Sequence, residues 1–336
     1  MKIGILTHPL EVNYGGILQA YALSTVLKEM GHKVEVLNRK YDKPLYKRLL
    51  IQLLTTFGFA RYNNPKYRHL RKFVSDNINY SRSFYNSQQL HKHVKQHGFN
   101  AVIVGSDQVW RSDYAMSFGF DYFLDFVPTG ISRISYAASF GLSDWLYTPE
   151  QTKRIKELLN TFKATSVRET SGKLLCVDNL NINPKVVLDP TLLLTAEHYI
   201  KISSPRQLSA PYIFVYWLGT DEEKQKALSK FTLSEYKLVD ISLRGESPLM
   251  PVEDWLSYIK YAEHVVTDSF HGCVFSIIFE KPFTICSNDI GGNGRLHSLF
   301  EVLGVNPSNG IKYPELREHL YSLREKSMGF LKESLI

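Results

Sequence analysis

Short apolar runs alternate with amphipathic stretches along this chain, and the alternation predicts an α/β fold. Lys2–Thr7 has the pattern of a buried strand. Ile17–Met30 carries apolar residues at helical spacing and stops at Gly31, and Lys33–Leu37 has the pattern of a second strand. Strand, helix and strand in this order form a βαβ unit, which implies a parallel sheet. The loop HPLEVNYGG, residues 8–16, then lies at the carboxyl edge of the sheet, where open α/β sheets bind ligands.

Later parts of the chain repeat this scheme. The strand 101–104 is followed by Gly105, Ser106 and Asp107, which places small and polar residues at the same edge. A further series of strands and helices runs from PYIFVYWLG to FTIC, so the second half resembles the first. We therefore predict two α/β domains, followed by a charged helical tail. Their predicted bounds are 1–195, 196–312 and 313–336.

A basic and apolar segment interrupts the first half. Residues 45–73, LYKRLLIQLLTTFGFARYNNPKYRHLRKF, have helical spacing and predict a helical insertion near 42–98. Two interpretations stay open. The segment is a helix that covers the core, or it is a surface facing a membrane or an acceptor, because basic amphipathic helices favour anionic interfaces.

Composition narrows the class of partner and the compartment. The chain has 336 residues, is 44% hydrophobic, and carries a net charge of +7, which suits an acidic or phosphorylated substrate or an anionic surface. No RNA-binding signature or zinc-finger spacing is present, so we predict no nucleic-acid partner. Three separated cysteines without a CxxC motif indicate a reducing compartment. The short apolar start does not fit a signal peptide, and no 18-residue apolar run exists, so we expect a cytoplasmic protein.

The stretch TDSFHG, residues 267–272, lies between a predicted strand and a predicted apolar helix that starts at Gly272. Asp268 and Ser269 are predicted helix N-caps, and the amides of such a helix start can bind an anion. His271 can donate to a phosphate or act as an acid or base near neutral pH. A Ser-His-Asp triad is excluded, because neighbouring residues of one turn point in different directions. From spacing alone, a chemical role and a packing role for His271 both stay open.

Other candidate residues have weaker signals. Gly15 and Gly16 belong to neither a dinucleotide fingerprint nor a Walker loop, so they either make a turn or line a ligand site. Arg168 follows a short strand and forms either a surface ion pair or an anion contact. Arg295 in the glycine-rich stretch GGNGRLHSLF could grip phosphate or carboxylate. The histidines of HKHVKQH are interpreted as exposed and structural, and no metal site is predicted; they are His91, His93 and His97.

Taken together, six stretches in order resemble the polysaccharide pyruvyl transferase family. They are NYGGILQAYAL (13–23), VIVGSDQVW (102–110), SYAASFG (135–141), SVRE (166–169), VLDPTLLL (187–194) and VTDSFHGCVFSIIFEKPF (266–283). The resemblance implies two Rossmann-like domains facing a central cleft, as in GT-B glycosyltransferases. It implies phosphoenolpyruvate as donor, a sugar or lipid-linked oligosaccharide as acceptor, a pyruvate ketal as product, and no metal, nucleotide or other cofactor. Such enzymes serve capsule or exopolysaccharide biosynthesis, which would place this one in the cytoplasm or peripherally at the inner face of the membrane.

The resemblance also implies roles for residues. His271 would lie next to the donor, Arg168 would bind it, and Asp107 is the preferred base for the sugar hydroxyl, with Asp268 second. Arg295 is added from its glycine loop alone. The remaining expected site residues are Ser269 and Gly272 on the donor side, with Asn13, Gly15, Gly16, Gly105, Ser106 and Asp268 lining the cleft. Some distant members carry an arginine just before the histidine, but residues 268–270 here contain no cation, so it must come from elsewhere.

Two other functions remain open at this point. One is a GT-B glycosyltransferase that uses a nucleotide sugar, since a helix N-terminus can also hold a diphosphate. The other is a non-catalytic GT-B-like binding protein.

Overall fold

The structure is a computed structural model of the chain. It describes residues 1–42, 64–229, 231, 236–242, 247–285, 293–306 and 310–336.

The first half of the chain forms a parallel sheet, which within the described residues has five strands in the order β3-β2-β1-β4-β5. The strands are β1 (Lys2–Leu6), β2 (Lys33–Arg39), β3 (Tyr80–Phe84), β4 (Ala101–Gly105) and β5 (Ser132–Tyr136). β1 pairs with β2 on one side and with β4 on the other. From β1 the chain adds β2 and β3 on one side of the sheet, and it then adds β4 and β5 on the other side. The position between β1 and β4 is therefore a topological switch point, which opens a crevice for ligands at the carboxyl edge.

Six helices of the described residues accompany this half: α1 (Tyr14–Glu29), α2 (Arg68–Asn77), α3 (Ser87–Gln96), α4 (Ser112–Met116), α5 (Pro149–Leu159) and α6 (Thr170–Leu180). α1 begins three residues before the predicted start at Ile17. The side chain of Asn13 accepts a hydrogen bond from the Gly15 amide at 2.9 Å and so caps the helix. Gly15 and Gly16 thus lie in the first turn of α1. They do not form a loop turn, which was one of the two roles that the sequence left open for them.

The second half forms another parallel sheet, with four strands among the described residues in the order β11-β10-β8-β9. They are β8 (Tyr212–Trp217), β9 (Lys237–Ser242), β10 (His264–Thr267) and β11 (Phe283–Ile285). The short strands β6 (Ser166–Val167) and β7 (Lys185–Val186) lie between the two sheets in the sequence, and they pair with each other. The accompanying helices of the described residues are α7 (Ala196–Ile202), α8 (Asp221–Leu228), α9 (Val252–Tyr261), α10 (Phe270–Ile278), α11 (Asn293–Leu303) and α12 (Tyr313–Leu335).

Tyr14 joins the two halves. Its ring stacks on Trp255 at 5.2 Å between centroids and meets Tyr216 edge-on at 5.8 Å. Its hydroxyl donates to the Met250 carbonyl at 3.0 Å. All three rings are fully or almost fully buried, so the start of α1 is fixed against the second half of the chain.

The last helix returns to the first half. The Leu188 amide donates to Ser327 Oγ at 3.1 Å, and Arg324 Nε donates to the Leu192 carbonyl at 2.6 Å. The predicted helical tail, 313–336, is therefore a single helix over Tyr313–Leu335 that packs on the chain near residue 190.

Residues 64–98 of the predicted helical insertion hold helices α2 and α3, but they also hold β3, the edge strand of the sheet. Most of the basic segment 45–73 lies outside the described residues. His93 is not exposed as predicted, because it is 7% exposed and hydrogen-bonds Glu35 at 2.7 Å. No cluster that could hold a metal ion occurs in the described parts of the chain. No helix in those parts is long and apolar enough to cross a membrane.

Candidate active site

The start of α1 touches the start of α10, and two glycines make the approach close. A Cβ atom at Gly15 would lie 2.0 Å from Nδ1 of His271, so only glycine leaves room for the imidazole there. A Cβ atom at Gly16 would lie 3.4 Å from Oδ2 of Asp107. The helix start therefore lies between His271 of the second half and Asp107 of the first.

Asp107 lies at the switch point in an unusual backbone conformation. Ser106 and Asp107 have φ values of 23° and 69°, in or near the left-handed region that residues other than glycine rarely adopt. The Ser106 amide donates to the Tyr136 carbonyl at 2.9 Å, which fixes this bend after Gly105 against the neighbouring strand. Backbone strain of this kind persists where the surroundings impose it, and it is concentrated at functional sites.

A buried carboxylate, Asp189, organises the centre of the site. Its Oδ2 accepts from Ser106 Oγ and from Arg168 Nη1, each at 2.9 Å. Its Oδ1 accepts from the Thr191 amide at 3.0 Å and hydroxyl at 2.6 Å. Oδ2 also lies 3.8 Å from Nε2 of His271. Burial raises the pKa of Asp189, but the contacts with His271 and Arg168 outweigh burial and hold that pKa well below its ordinary value.

Arg168 is buried and still has free donors. One nitrogen binds Asp189, Nε lies 3.5 Å from Glu169 Oε2, and the guanidinium lies 4.2 Å above the Phe270 ring. Nε and Nη2 make no hydrogen bond to any described residue. Burial lowers the pKa of Arg168, but the charges of Asp189 and Glu169 outweigh it and raise the pKa above its usual value. The group stays charged, and Nη2 is free to donate to an anion, whereas Nε faces the Glu169 carboxylate.

Arg295 on α11 lines the same small cavity as Arg168 and Phe270. Its Nε is buried without a hydrogen-bond partner among the described residues. Burial and the like charge of Arg168 lower the pKa of Arg295. Two arginines that repel each other at one cavity are stabilised by an anion bound between them.

The family model for polysaccharide pyruvyl transferases matches residues 13–290, most of the chain. The chain belongs to the polysaccharide pyruvyl transferase family. It is therefore a transferase, and the family relationship indicates a sugar or polysaccharide acceptor. Asp107, Arg168, Asp189 and His271 lie within the matched residues, whereas Arg295 lies beyond them. No curated protein sequence matches this chain.

Solved structures of low sequence identity share the fold of this transferase. A putative UDP-N-acetylglucosamine 2-epimerase from Listeria monocytogenes is 11% identical with a TM-score of 0.51, over 97% of this chain and 90% of that one. The UDP complex of MnaA from S. aureus is 14% identical with a TM-score of 0.51, over 96% and 90% of the two chains. The UDP-GlcNAc 2-epimerase from Neisseria meningitidis, bound to UDP-GlcNAc, is 12% identical with a TM-score of 0.50, over 100% and 99%. At this identity the likeness shows the fold alone, which is the predicted α/β, GT-B-like architecture with two Rossmann-like units.

Asp268 differs from its predicted role in the transferase. Its carboxylate accepts from the amides of Leu218 at 2.8 Å and Gly219 at 2.6 Å, in the loop after β8, and it does not cap α10. Burial raises the pKa of Asp268. The cap is Ser269, so α10 begins at Phe270, two residues before the predicted start. Because these two amides engage both carboxylate oxygens, Asp268 is a poor second candidate for the base.

Packing also explains why a glycine stands at position 272. A Cβ atom there would lie 2.2 Å from Thr267 Oγ1, which itself donates to the Tyr216 carbonyl at 2.7 Å. The glycine thus lets α10 begin directly against the end of β10. Its proposed contact with a donor would be through the backbone.

Two site residues were missed from the sequence. Asp189 belongs to VLDPTLLL, one of the six stretches that carry the resemblance, but no role was predicted for it, and its partners are distant in sequence. His8 lies two residues after the end of β1, and its Nδ1 lies 3.2 Å from the Tyr122 hydroxyl. Burial raises the pKa of Asp107, but the charges of His8 and Arg168 outweigh it, so that pKa lies below its usual value. The position of His8 after a central parallel strand was the available signal.

Proposed function

We propose that this transferase moves the pyruvyl group of phosphoenolpyruvate onto two hydroxyls of a sugar in a polysaccharide or cell-surface glycan precursor. The observation that carries the proposal is the cavity lined by Arg168 and Arg295, both with free buried donors and with His271 beside it. Phosphoenolpyruvate carries a phosphate and a carboxylate on three carbons. The cavity has a volume of about 10 Å³, room for one water-sized group, so it would receive a single anionic oxygen of the donor, bound by the two arginines, while the rest of the donor lies outside it.

The reaction balances without an oxidant or reductant. Two new C–O bonds form at the central carbon of the donor, and the bond from that carbon to the phosphate oxygen breaks. One hydroxyl proton ends on the methylene carbon, which becomes a methyl group, and the other leaves with phosphate. The protein therefore has to bind two anionic groups and direct two protons.

The residues present fit these tasks. Arg168 and Arg295 would hold the phosphate and carboxylate. His271 would protonate the methylene carbon or stabilise the leaving phosphate, and Asp189, 3.8 Å from its Nε2, would stabilise the imidazolium form. Asp107 would take the proton of a sugar hydroxyl, since its lowered pKa keeps it ionised.

The remaining residues of the predicted site would contribute mainly backbone groups to this arrangement. We place residues 1–195 and 196–312 as two domains on either side of the cleft, with the second on the donor side, and 313–336 as the tail. The start of α10 would present its amides to the donor at Ser269 and Gly272. The residues proposed to line the cleft are Asn13, Gly15, Gly16, Gly105 and Ser106.

The loop after β8 argues against a nucleotide-sugar donor. Its Leu218 and Gly219 amides, which could bind a diphosphate, are engaged by the Asp268 carboxylate. The first turn of the following helix α8 carries three acidic residues, Asp221, Glu222 and Glu223. These charges oppose the binding of a second anion at that helix start.

Ligand-dependent melting separates the candidate donors. Phosphoenolpyruvate should raise the melting temperature, because a ligand at one hundred times its Kd stabilises the folded state by about 2.7 kcal/mol. UDP-glucose and UDP-N-acetylglucosamine should leave it unchanged. Labelled phosphoenolpyruvate should then transfer its pyruvyl group to a glycan and release phosphate. Transfer of sugar from a nucleotide sugar would overturn the proposal, and a non-catalytic protein would show no turnover that His271→Ala could remove.

We also propose peripheral contact with the cytoplasmic face of the membrane when the acceptor is lipid-linked. Within the described residues this rests on the basic α2, where Lys72 is 73% exposed at its side chain. Neutralising Arg71 and Lys72 should weaken binding to vesicles of anionic lipid. Unaltered binding would contradict the proposal.

A further inference from the structure

A second group of titratable and aromatic side chains lies beside Asp107. β1 and β4 pair in register, with Leu6 opposite Val104. The Thr7 hydroxyl donates to the Ser106 carbonyl at 3.2 Å, which ties the two following loops together. His8 and Asp107 are therefore neighbours at the carboxyl edge of the sheet.

Two tyrosines fix the ring of His8. Its Nδ1 lies 3.2 Å from the Tyr122 hydroxyl, and its ring meets Tyr122 edge-on at 5.2 Å and 81°. It also meets Tyr114 edge-on at 5.6 Å and 87°. Tyr122 is completely buried, whereas Tyr114 is 38% exposed. Nδ1 of His8 is thus fixed by the buried Tyr122, and Tyr114 is its partly exposed neighbour.

The other ring nitrogen of His8 lacks a partner. Nε2 is buried and makes no hydrogen bond to any described residue. Buried polar atoms are normally hydrogen-bonded, and an exception next to a reactive carboxylate indicates a place for a ligand group. Arg168 and Arg295 serve the anionic donor, so the group beside His8 and Asp107 should belong to the acceptor.

The chemistry of the acceptor matches these side chains. A sugar that receives a ketal must present two hydroxyls, and each needs a partner that fixes its direction. Imidazole nitrogen and carboxylate oxygen are suitable partners. A sugar ring also has C–H faces that pack on aromatic side chains, and Tyr114 offers an exposed aromatic surface at this point.

We propose that His8 and Tyr114 form the acceptor-sugar subsite, in which Nε2 of His8 holds one hydroxyl next to Asp107 and Tyr114 contacts the sugar ring. The proposal rests on the proposed function, because it assumes a sugar acceptor. His8 precedes the residues that the family model matches, 13–290, so the family match does not assign it.

Saturation-transfer NMR with a panel of methyl glycopyranosides tests this subsite without any donor. His8→Phe keeps a ring between the two tyrosines but removes Nε2, so a role in packing alone would leave sugar binding intact. We expect the affinity for the glycosides that bind to fall about fivefold or more, as for loss of one hydrogen bond. Tyr114→Ala should show a similar loss. Tyr321→Ala on α12, a tyrosine that is 65% exposed, should bind as the unaltered protein does.

Phosphoenolpyruvate-dependent melting of the same variants is the second readout, and the shift should be unchanged. Should His8→Phe fold poorly, Tyr122→Phe removes the hydroxyl that holds Nδ1 and should also weaken glycoside binding. Unaltered glycoside affinity in His8→Phe, or no binding of any panel glycoside to the unaltered protein, would overturn the subsite. Glycoside binding that depends on His8 but without any response to phosphoenolpyruvate would instead overturn the proposed donor and leave the subsite standing.

Discussion

Replacing Gly15 with alanine should separate the geometry of the site from the stability of the fold. The new Cβ atom would lie 2.0 Å from Nδ1, 2.3 Å from Cγ and 2.7 Å from Cε1 of His271. Ordinary contact begins at 3.4 Å, so the imidazole must move by about 1.4 Å. Since a misplacement of about 1 Å can cost roughly a hundredfold in rate, we expect a loss of about that size in kcat/KM. Folding should survive, because alanine is favoured over glycine in a helix by up to about 1 kcal/mol.

The assay is phosphate release from phosphoenolpyruvate in the presence of an acceptor glycoside, with a melting curve for each variant. Gly16→Ala places its Cβ atom 3.4 Å from Asp107 Oδ2 and should lose much less activity. Gly329→Ala, in the middle of α12 with no atom within 4 Å of the new Cβ, should turn over at the unaltered rate. Turnover of Gly15→Ala within about twofold of the unaltered protein would refute the contact between the two helix starts.

Four further outcomes follow from the same contacts. His271→Ala should abolish phosphate release while the fold still melts cooperatively, and measurable release at the unaltered rate would exclude its chemical role. Asp189→Asn should cost about 3 kcal/mol in denaturant unfolding, because it removes the closest carboxylate partner of the buried Arg168 charge and leaves only Glu169. Because the pKa of Asp189 is lowered in the folded protein, its ionised carboxylate stabilises the fold at pH values above the unfolded-state pKa of about 3.9, and this stabilisation is lost as the pH falls below that value. The free energy of unfolding of Asp189→Asn should therefore depend less on pH in that range. Burial raises the pKa of the Cys176 thiol to about 12, so peptide mapping after iodoacetamide at pH 8 should find it unmodified in the folded protein; modification at the rate of the denatured protein would contradict its burial. Asp268→Ala should lower stability by about 2 kcal/mol or more through two unpaired loop amides, and equal denaturation midpoints would show that the loop after β8 is held otherwise.

Local patterns were sufficient to predict the sheets and several of the residues near the site. The βαβ pattern of the first 37 residues predicted a parallel sheet, and the polar residues after β4 were predicted to lie at its carboxyl edge. These predictions succeed because the periodicity of apolar residues and the direction of parallel strands are local properties. Helix starts were less accurate, since capping by Asn13 and Ser269 moved α1 and α10 by two or three residues.

Contacts between distant segments could not be predicted in this way. Asp268 has the sequence position of a cap, but amides some fifty residues earlier in the chain bind it. Asp189 binds Ser106 and Arg168, which lie 83 and 21 residues away in sequence. Such pairings depend on how the sheets and loops pack, which no spacing within one motif contains.

Phosphoenolpyruvate labelled in its pyruvyl carbons and in its phosphate, incubated with the protein and a glycan acceptor, tests the proposed transfer most directly. We expect one labelled ketal on the glycan for each phosphate released, and loss of both products in His271→Ala. Phosphate release without label on the glycan, or transfer of sugar from a nucleotide sugar in its place, would contradict it.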